Sequence, residues 1–162
     1  VPIPAPATVN KAPSAPEYPR GGETLPPQLE IFLREFNASA NADDPTESLR
    51  FYAPTVDRYF GKTGLTRSEI LRDRESFLQR WPERNYVMRG NPVIANREGN
   101  LIDVMMWVDY QVAKGSSQRS GSVTNHLRIR ELDHRYEIVE IHEAKASAPV
   151  PAVSTVARPK SV

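Results

Sequence analysis

The chain has 162 residues, no cysteine and a formal net charge of +1. That length holds one domain with a proper core, and the missing thiols exclude disulfides, thiolate nucleophiles and zinc–thiolate sites. Between Thr24 and Lys145, 17 Lys plus Arg stand against 18 Asp plus Glu, so the strong positive field of a nucleic-acid-binding domain is absent and nucleic acid is not an expected partner.

Arg supplies 16 of the 21 basic residues, which suits fixed ion pairs and interfaces. No apolar run is long enough to cross a bilayer, so direct membrane insertion is not expected. The chain starts at Val1 without a signal-like apolar segment, and it reads as a piece of a longer, exported or membrane-anchored bacterial protein. Eight of the 15 prolines precede Gln28. Residues 1–23, rich in Pro, Ala and Ser, bury too little apolar surface to offset their ordering entropy and are expected as a disordered linker. A plain spacer outweighs a proline-motif ligand there, because Pro13 and Pro16 have the right spacing but are followed by Glu17.

Thr24 and Pro26-Pro27 open the first helix, with a hydroxyl to cap it and proline in the first turn. Leu29, Phe32, Leu33, Phe36 and Ala40 form its apolar stripe. Asp44-Pro45-x-Glu47 reads as the start of a second, short helix, with Leu49 and Tyr52 inward and Pro54 ending it. Val56 to Phe60 then reads as a short strand closed by a Gly61-Lys62-Thr63-Gly64 turn. Thr66-x-x-Glu69 is a capping box for a third helix, whose Ile70, Leu71, Phe77, Leu78 and Trp81 share a face until Pro82. Arg72, Asp73, Arg74 and Glu75 are assigned to its outer face.

From Asn85 the pattern changes to strands. Tyr86 to Asn96 reads as one strand bent at Asn91-Pro92, and Glu98-Gly99-Asn100 as a hairpin turn. Leu101 to Val112 is the densest apolar run and the predicted central strand. Ile102, Val104, Met106, Val108, Tyr110 and Val112 give it one apolar face, and Leu101, Asp103, Met105, Trp107 and Asp109 a mixed one. Arg119 to Arg130 and Tyr136 to Glu143 follow as two more strands, and residues 146–162 as a second disordered tail. The domain therefore spans residues 24–145 and belongs to the α+β class, with three N-terminal helices packed on a strongly curved, mostly antiparallel sheet.

This element order, with Tyr52-Ala53-Pro54-Thr55-Val56-Asp57 after the second helix, Trp81-Pro82-Glu83-Arg84 after the third and Arg135-Tyr136-Glu137-Ile138 in the last strand, resembles the nuclear transport factor 2-like superfamily. Its ketosteroid-isomerase and polyketide-cyclase (SnoaL-like) branches are the relevant ones. The resemblance implies a cone-shaped roll whose inner wall carries the functional groups in those members that are enzymes. Strand alternation puts Tyr52, Arg58, Trp81, Tyr86, Met106, Tyr110, Asn125 and Tyr136 on that wall, together with Glu140 and His142. Aligned with the isomerase branch, Arg58 falls where the general base is expected, and an arginine cannot serve as one.

Glu140 and His142, at i and i+2 on one strand face, are the candidate acid and base, with Tyr52, Tyr86 or Tyr110 as donors. A strand end carrying such residues without chemistry is the stronger interpretation, since no third partner is identifiable. No metal site and no cofactor are expected. His126, Arg128 and Arg130 form a basic stripe on the outer sheet face beside Leu101, Met105 and Trp107. The resemblance implies a homodimer through that face. The function expected is a non-catalytic module that dimerises and binds a protein partner or a small apolar ligand, outside the cytoplasm. The alternative is a cone enzyme of the isomerase, dehydratase or cyclase kind.

Overall fold

In the computed structural model, which describes residues 24–145, helix α1 runs from Pro27 to Ser39. The linker and tail expected at 1–23 and 146–162 lie outside the described residues. Pro26 precedes α1 and its carbonyl takes the first helical bond from the Glu30 N–H at 3.0 Å, so the first turn is held without a hydroxyl cap from Thr24. Leu29 and Leu33 are fully buried, with Phe32 and Phe36 half-buried beside them.

The second helix predicted from Asp44-Pro45-x-Glu47 is replaced by a turn. Asp44 Oδ1 accepts from both the backbone N–H of Thr46 at 2.9 Å and its hydroxyl at 2.7 Å, capturing the donors two residues on instead of capping a helix. A single 3-10 turn, Leu49–Phe51, follows and delivers Phe51 and Tyr52 to the core. Among the described residues two α-helices, not three, thus cover the sheet.

Strand β1 is Thr55–Tyr59 and β2 is Lys62–Thr66. The predicted four-residue turn is shorter than expected, because Phe60 and Gly61 turn the chain alone, at φ 48° and 92°, and Lys62 pairs back onto Tyr59. Helix α2, Arg67–Arg80, starts on the reciprocal Thr66–Glu69 capping box. Tyr86 to Asn96 divides into β3 (Glu83–Met88) and β4 (Val93–Glu98). Both pair with the same side of β5 (Leu101–Lys114), since Gly90 at φ 70° and the donorless Pro92 interrupt the ladder between them.

Strands β6 (Ser117–Leu132) and β7 (Arg135–Lys145) complete an antiparallel meander, and β1 joins β7 in parallel to give the order β2-β1-β7-β6-β5-β3, with β4 on β5. The central strand alternates as predicted: Ile102, Val104, Met106 and Val108 are at most 1% exposed and face the helices. Burying each such side chain contributes roughly 1.5–3 kcal/mol. Register breaks between Ile94 and Asn96 and between Arg128 and Ile129 bend the sheet around the helices.

Candidate functional site

The second of those breaks decides which residues face the interior. Ile129 pairs with Ile138, but Arg128 pairs with Glu140, so Val139 is an extra residue on β7. Beyond the bulge the faces exchange: Ile141 lies opposite Leu127 and is buried, while Glu140 and His142 lie opposite Arg128 and His126 on the outer face. The predicted acid and base are therefore outside the cone, and Glu143, opposite Asn125, takes the inward position.

Between the C-terminal half of α1, the face of α2 and the sheet lies an open cavity of about 330 Å³. Phe36, Tyr52, Tyr59, Phe60, Phe77 and Tyr86 supply its aromatic wall. The rings are linked edge to face from the core outward: Phe51–Phe36 at 5.5 Å, Phe36–Tyr52 at 5.8 Å, Tyr52–Tyr59 at 5.7 Å and Tyr59–Phe60 at 4.8 Å. Tyr86 is stacked on Tyr110 at 5.9 Å, and Tyr110 has room because Gly121 lies opposite it on β6.

The backbone of Tyr86 is held by α1 and the turn after it. Asn41 accepts from its N–H at 2.7 Å, and Asn37 and Asn41 both donate to its carbonyl. Arg84 stitches the same corner, its buried guanidinium donating to the carbonyls of Trp81, Pro82, Ala40 and Ala42 and to Asp43.

The polar part of the wall comes mainly from α2. Asp73, Arg74, Phe77 and Arg80 line the cavity. Asp73 and Arg74 therefore do not sit on the outer face. They stand at three and four residues after Ile70, on the stripe that continues to Phe77 and Trp81, and that spacing was the available signal. The Tyr59 hydroxyl donates to Asp73 Oδ2 at 3.0 Å, and Lys62 lies 3.5 Å from Oδ1. Three buried atoms of the wall have no hydrogen-bond partner among the described residues: Ser48 Oγ, Asn125 Oδ1 and Arg74 Nε.

Burial, more than any neighbouring charge, pushes the phenols of Tyr52 and Tyr59 far above the ordinary range and that of Tyr86 to about 12. These hydroxyls are neutral donors at any physiological pH. Desolvation also raises the carboxyl of Glu143.

Of the residues predicted for the inner wall, Tyr52, Tyr86 and Asn125 line the cavity. Met106 is sealed in the core, Tyr136 packs on Phe32 at 5.6 Å, and Trp81 ends α2 under the Arg119 guanidinium. Arg58 is exposed, opposite Glu140 on β7, because β1 turns Val56 and Tyr59 inward instead. On the outer face, Leu101, Met105, Trp107, His126, Arg128 and Arg130 stand together, half-buried. The stripe is not basic: Arg128 binds Asp103 through two hydrogen bonds and Arg130 binds Glu137 at 2.7 Å. The His126 and His142 rings are stacked at 4.8 Å. Among the described residues no group of three or more His, Asp or Glu is placed to hold a metal.

No family model matches the chain, and no curated protein matches it. Solved structures do. A nuclear transport factor 2-like superfamily protein from Salmonella enterica has TM-score 0.63 at 12% identity, over 76% of this chain and 92% of that one. A candidate aromatic ring hydroxylase from Novosphingobium aromaticivorans has TM-score 0.63 at 12% identity, over 73% and 87%. A chain from Bdellovibrio bacteriovorus has TM-score 0.59 at 11% identity, over 74% of this chain but 41% of its own length. At these identities the likeness is one of fold, and the fold is the nuclear transport factor 2-like, SnoaL-like α+β roll.

Proposed function

We propose that this nuclear transport factor 2-like chain is a non-catalytic binding module of a larger bacterial protein, and that its cone takes up a small, partly apolar molecule without changing it. The observation that carries this reading is the open cavity of about 330 Å³, walled by aromatic rings and left with three unpartnered polar atoms. Each such atom costs about 1–3 kcal/mol unless water or a bound molecule satisfies it. Asp73 is already engaged by Tyr59 and Lys62, which leaves it poorly suited to proton transfer. The Bdellovibrio chain, of which the similar region is 41%, supports a place within a longer protein.

The test is a set of small aromatic and alicyclic compounds followed by protein NMR, for the natural chain and for Ala40→Phe, which fills the cavity. Binding that is lost in the filled variant, with the compound recovered unchanged, is the expected result. Failure of every compound to bind the natural chain refutes the proposal.

A second reading, a cone enzyme of the isomerase, dehydratase or cyclase kind, draws its support from Glu143, whose raised carboxyl at the cavity is suited to a general base, with Tyr86 as a donor. Exchange of the acidic protons of a bound ketone with deuterated water, lost in Glu143→Gln, would establish it.

The outer sheet face is proposed as the contact with a second copy. Asp103–Arg128, Asp109–Arg89 and Glu137–Arg130 pair within one sheet, so two like faces meet without uncompensated charge, around the half-buried Met105 and Trp107. Sedimentation of Trp107→Glu tests it: an unchanged mass refutes the contact.

A further inference from the structure

We propose that the molecule held by the cone is a monocarboxylate with a compact aromatic or alicyclic body, its carboxylate seated on Arg74; the proposal rests on the cavity being a ligand site. The guanidinium stands in the cavity wall, and its positive charge reaches the hydroxyls of Tyr52, Tyr59 and Tyr86 alike. Its Nε is buried and makes no hydrogen bond. No carboxylate lies within ion-pair distance of it among the described residues, although Asp73 is its neighbour in sequence. It lies over the face of Phe77, with the guanidinium carbon 5.2 Å from the ring centre.

An arginine in this state has a planar fork of donors and no acceptor, and a carboxylate is the group that matches that fork. Ser48, 5% exposed with its hydroxyl also unpartnered, adds a second donor to the lining of the same cavity. The ring wall of Phe77, Tyr86 and Phe60 takes the apolar body.

The charge of the wall limits the ligand to one negative charge. With Asp73 offset by Lys62, Arg74 and Arg80 face Glu143 alone, so a monoanion leaves the wall neutral while a phosphate dianion leaves it with an excess negative charge. Asp73 presents Oδ2 to Tyr59 and Oδ1 to Lys62, which spends its charge on the β1–β2 hairpin. The volume of about 330 Å³ is near the lower end for small-molecule sites and suits a one-ring acid.

The experiment compares benzoate, phenylacetate and cyclohexanecarboxylate with their neutral primary amides, by calorimetry and protein NMR on the full chain. The expected result is that at least one acid binds about tenfold more tightly than its amide, and that the preference shrinks as salt is raised. Arg74→Gln removes the preference and keeps the amide's affinity. Equal affinity of acid and amide, at all salt concentrations, overturns the carboxylate assignment while leaving the cavity reading intact. Binding of none of the six compounds overturns both. Should Arg74→Gln not fold, the acid-to-amide ratio and its salt dependence in the natural chain decide the question by themselves.

Discussion

The hydroxyl of Tyr59 donates to Oδ2 of Asp73 at 3.0 Å, and this bond ties β1 to α2 in the wall of the cone. Tyr59→Phe removes the donor and leaves Asp73 with Lys62 alone, at an expected cost of about 1–2 kcal/mol in denaturant unfolding. The same burial has a consequence in alkali. Tyr52, Tyr59 and Tyr86 are raised above their ordinary value of 10.0, so the folded state favours the neutral phenols. Their contribution to stability is complete below pH 10 and is lost as pH climbs through the folded values, about 12 for Tyr86. In a spectroscopic titration, phenolate from these three appears only as tertiary structure is lost; ionisation near pH 10 in the folded protein contradicts this.

Arg84 has a side chain only 3% exposed and donates to five backbone carbonyls of the segments that end α1 and α2. Arg84→Ala orphans those carbonyls and should lower stability by about 3 kcal/mol, seen as a lower urea midpoint. Lys does not restore it, because a point charge with a flexible stem cannot replace the planar fork.

Phe60 adopts φ 48°, a left-handed conformation that is unfavourable for an aromatic residue, in the two-residue turn before Gly61. The strain holds a 42% exposed ring against Tyr59 at the cavity, which is where a ligand would use it. Phe60→Asn is expected to raise stability by about 1 kcal/mol and to weaken binding of cavity ligands. A variant that gains stability and binds equally well shows that the ring serves no ligand.

A Cβ on Gly121 would stand 3.0 Å from the Tyr110 hydroxyl. Gly121→Val therefore forces Tyr110 toward Tyr86, its stacking partner in the wall. The expected outcome is a loss of about 1–2 kcal/mol together with weaker ligand binding, by calorimetry and titration. Unchanged affinity refutes the link from β6 to the cavity.

His126 and His142 stack on the outer face, flanked by Arg128 and Glu140. Burial first, and the neighbouring imidazole second, lower the pKa of His126 below 6.5. A depressed histidine supports folding above its unfolded value and loses that support as pH falls through its folded value. Thermal stability should decline below about pH 6.5, and His142→Gln, which removes the second cause and brings the folded value back toward 6.5, should make that decline smaller. An NMR titration placing His126 at or above 6.5 refutes the prediction.

Much of the fold was legible because its signals are local. Six alternating apolar residues fixed the inner face of β5, and the Thr66–Glu69 capping box fixed the start of α2. The three-residue stagger of Leu29, Phe32, Leu33 and Phe36 fixed the buried side of α1. Each depends on residues within one or two turns of chain, where steric preference and hydrogen bonding act directly.

The cavity's chemistry depended on contacts far apart in sequence. Ile138 and Ile141 both face inward although they stand three positions apart, which a regular strand forbids, and only packing against Ile129 and Leu127 of β6 settles where the extra residue goes. That single bulge sent Glu140 and His142 outside and brought Glu143 in. Likewise, four charged residues at 72–75 look like a solvated helix face until α2 is laid over the sheet, where the partners that reach Asp73 and the void that Arg74 borders come from other elements. Sequence determined where the two long helices and the three long strands run; the face a strand residue shows, and the company a charge keeps, were fixed by parity and distance across the whole fold.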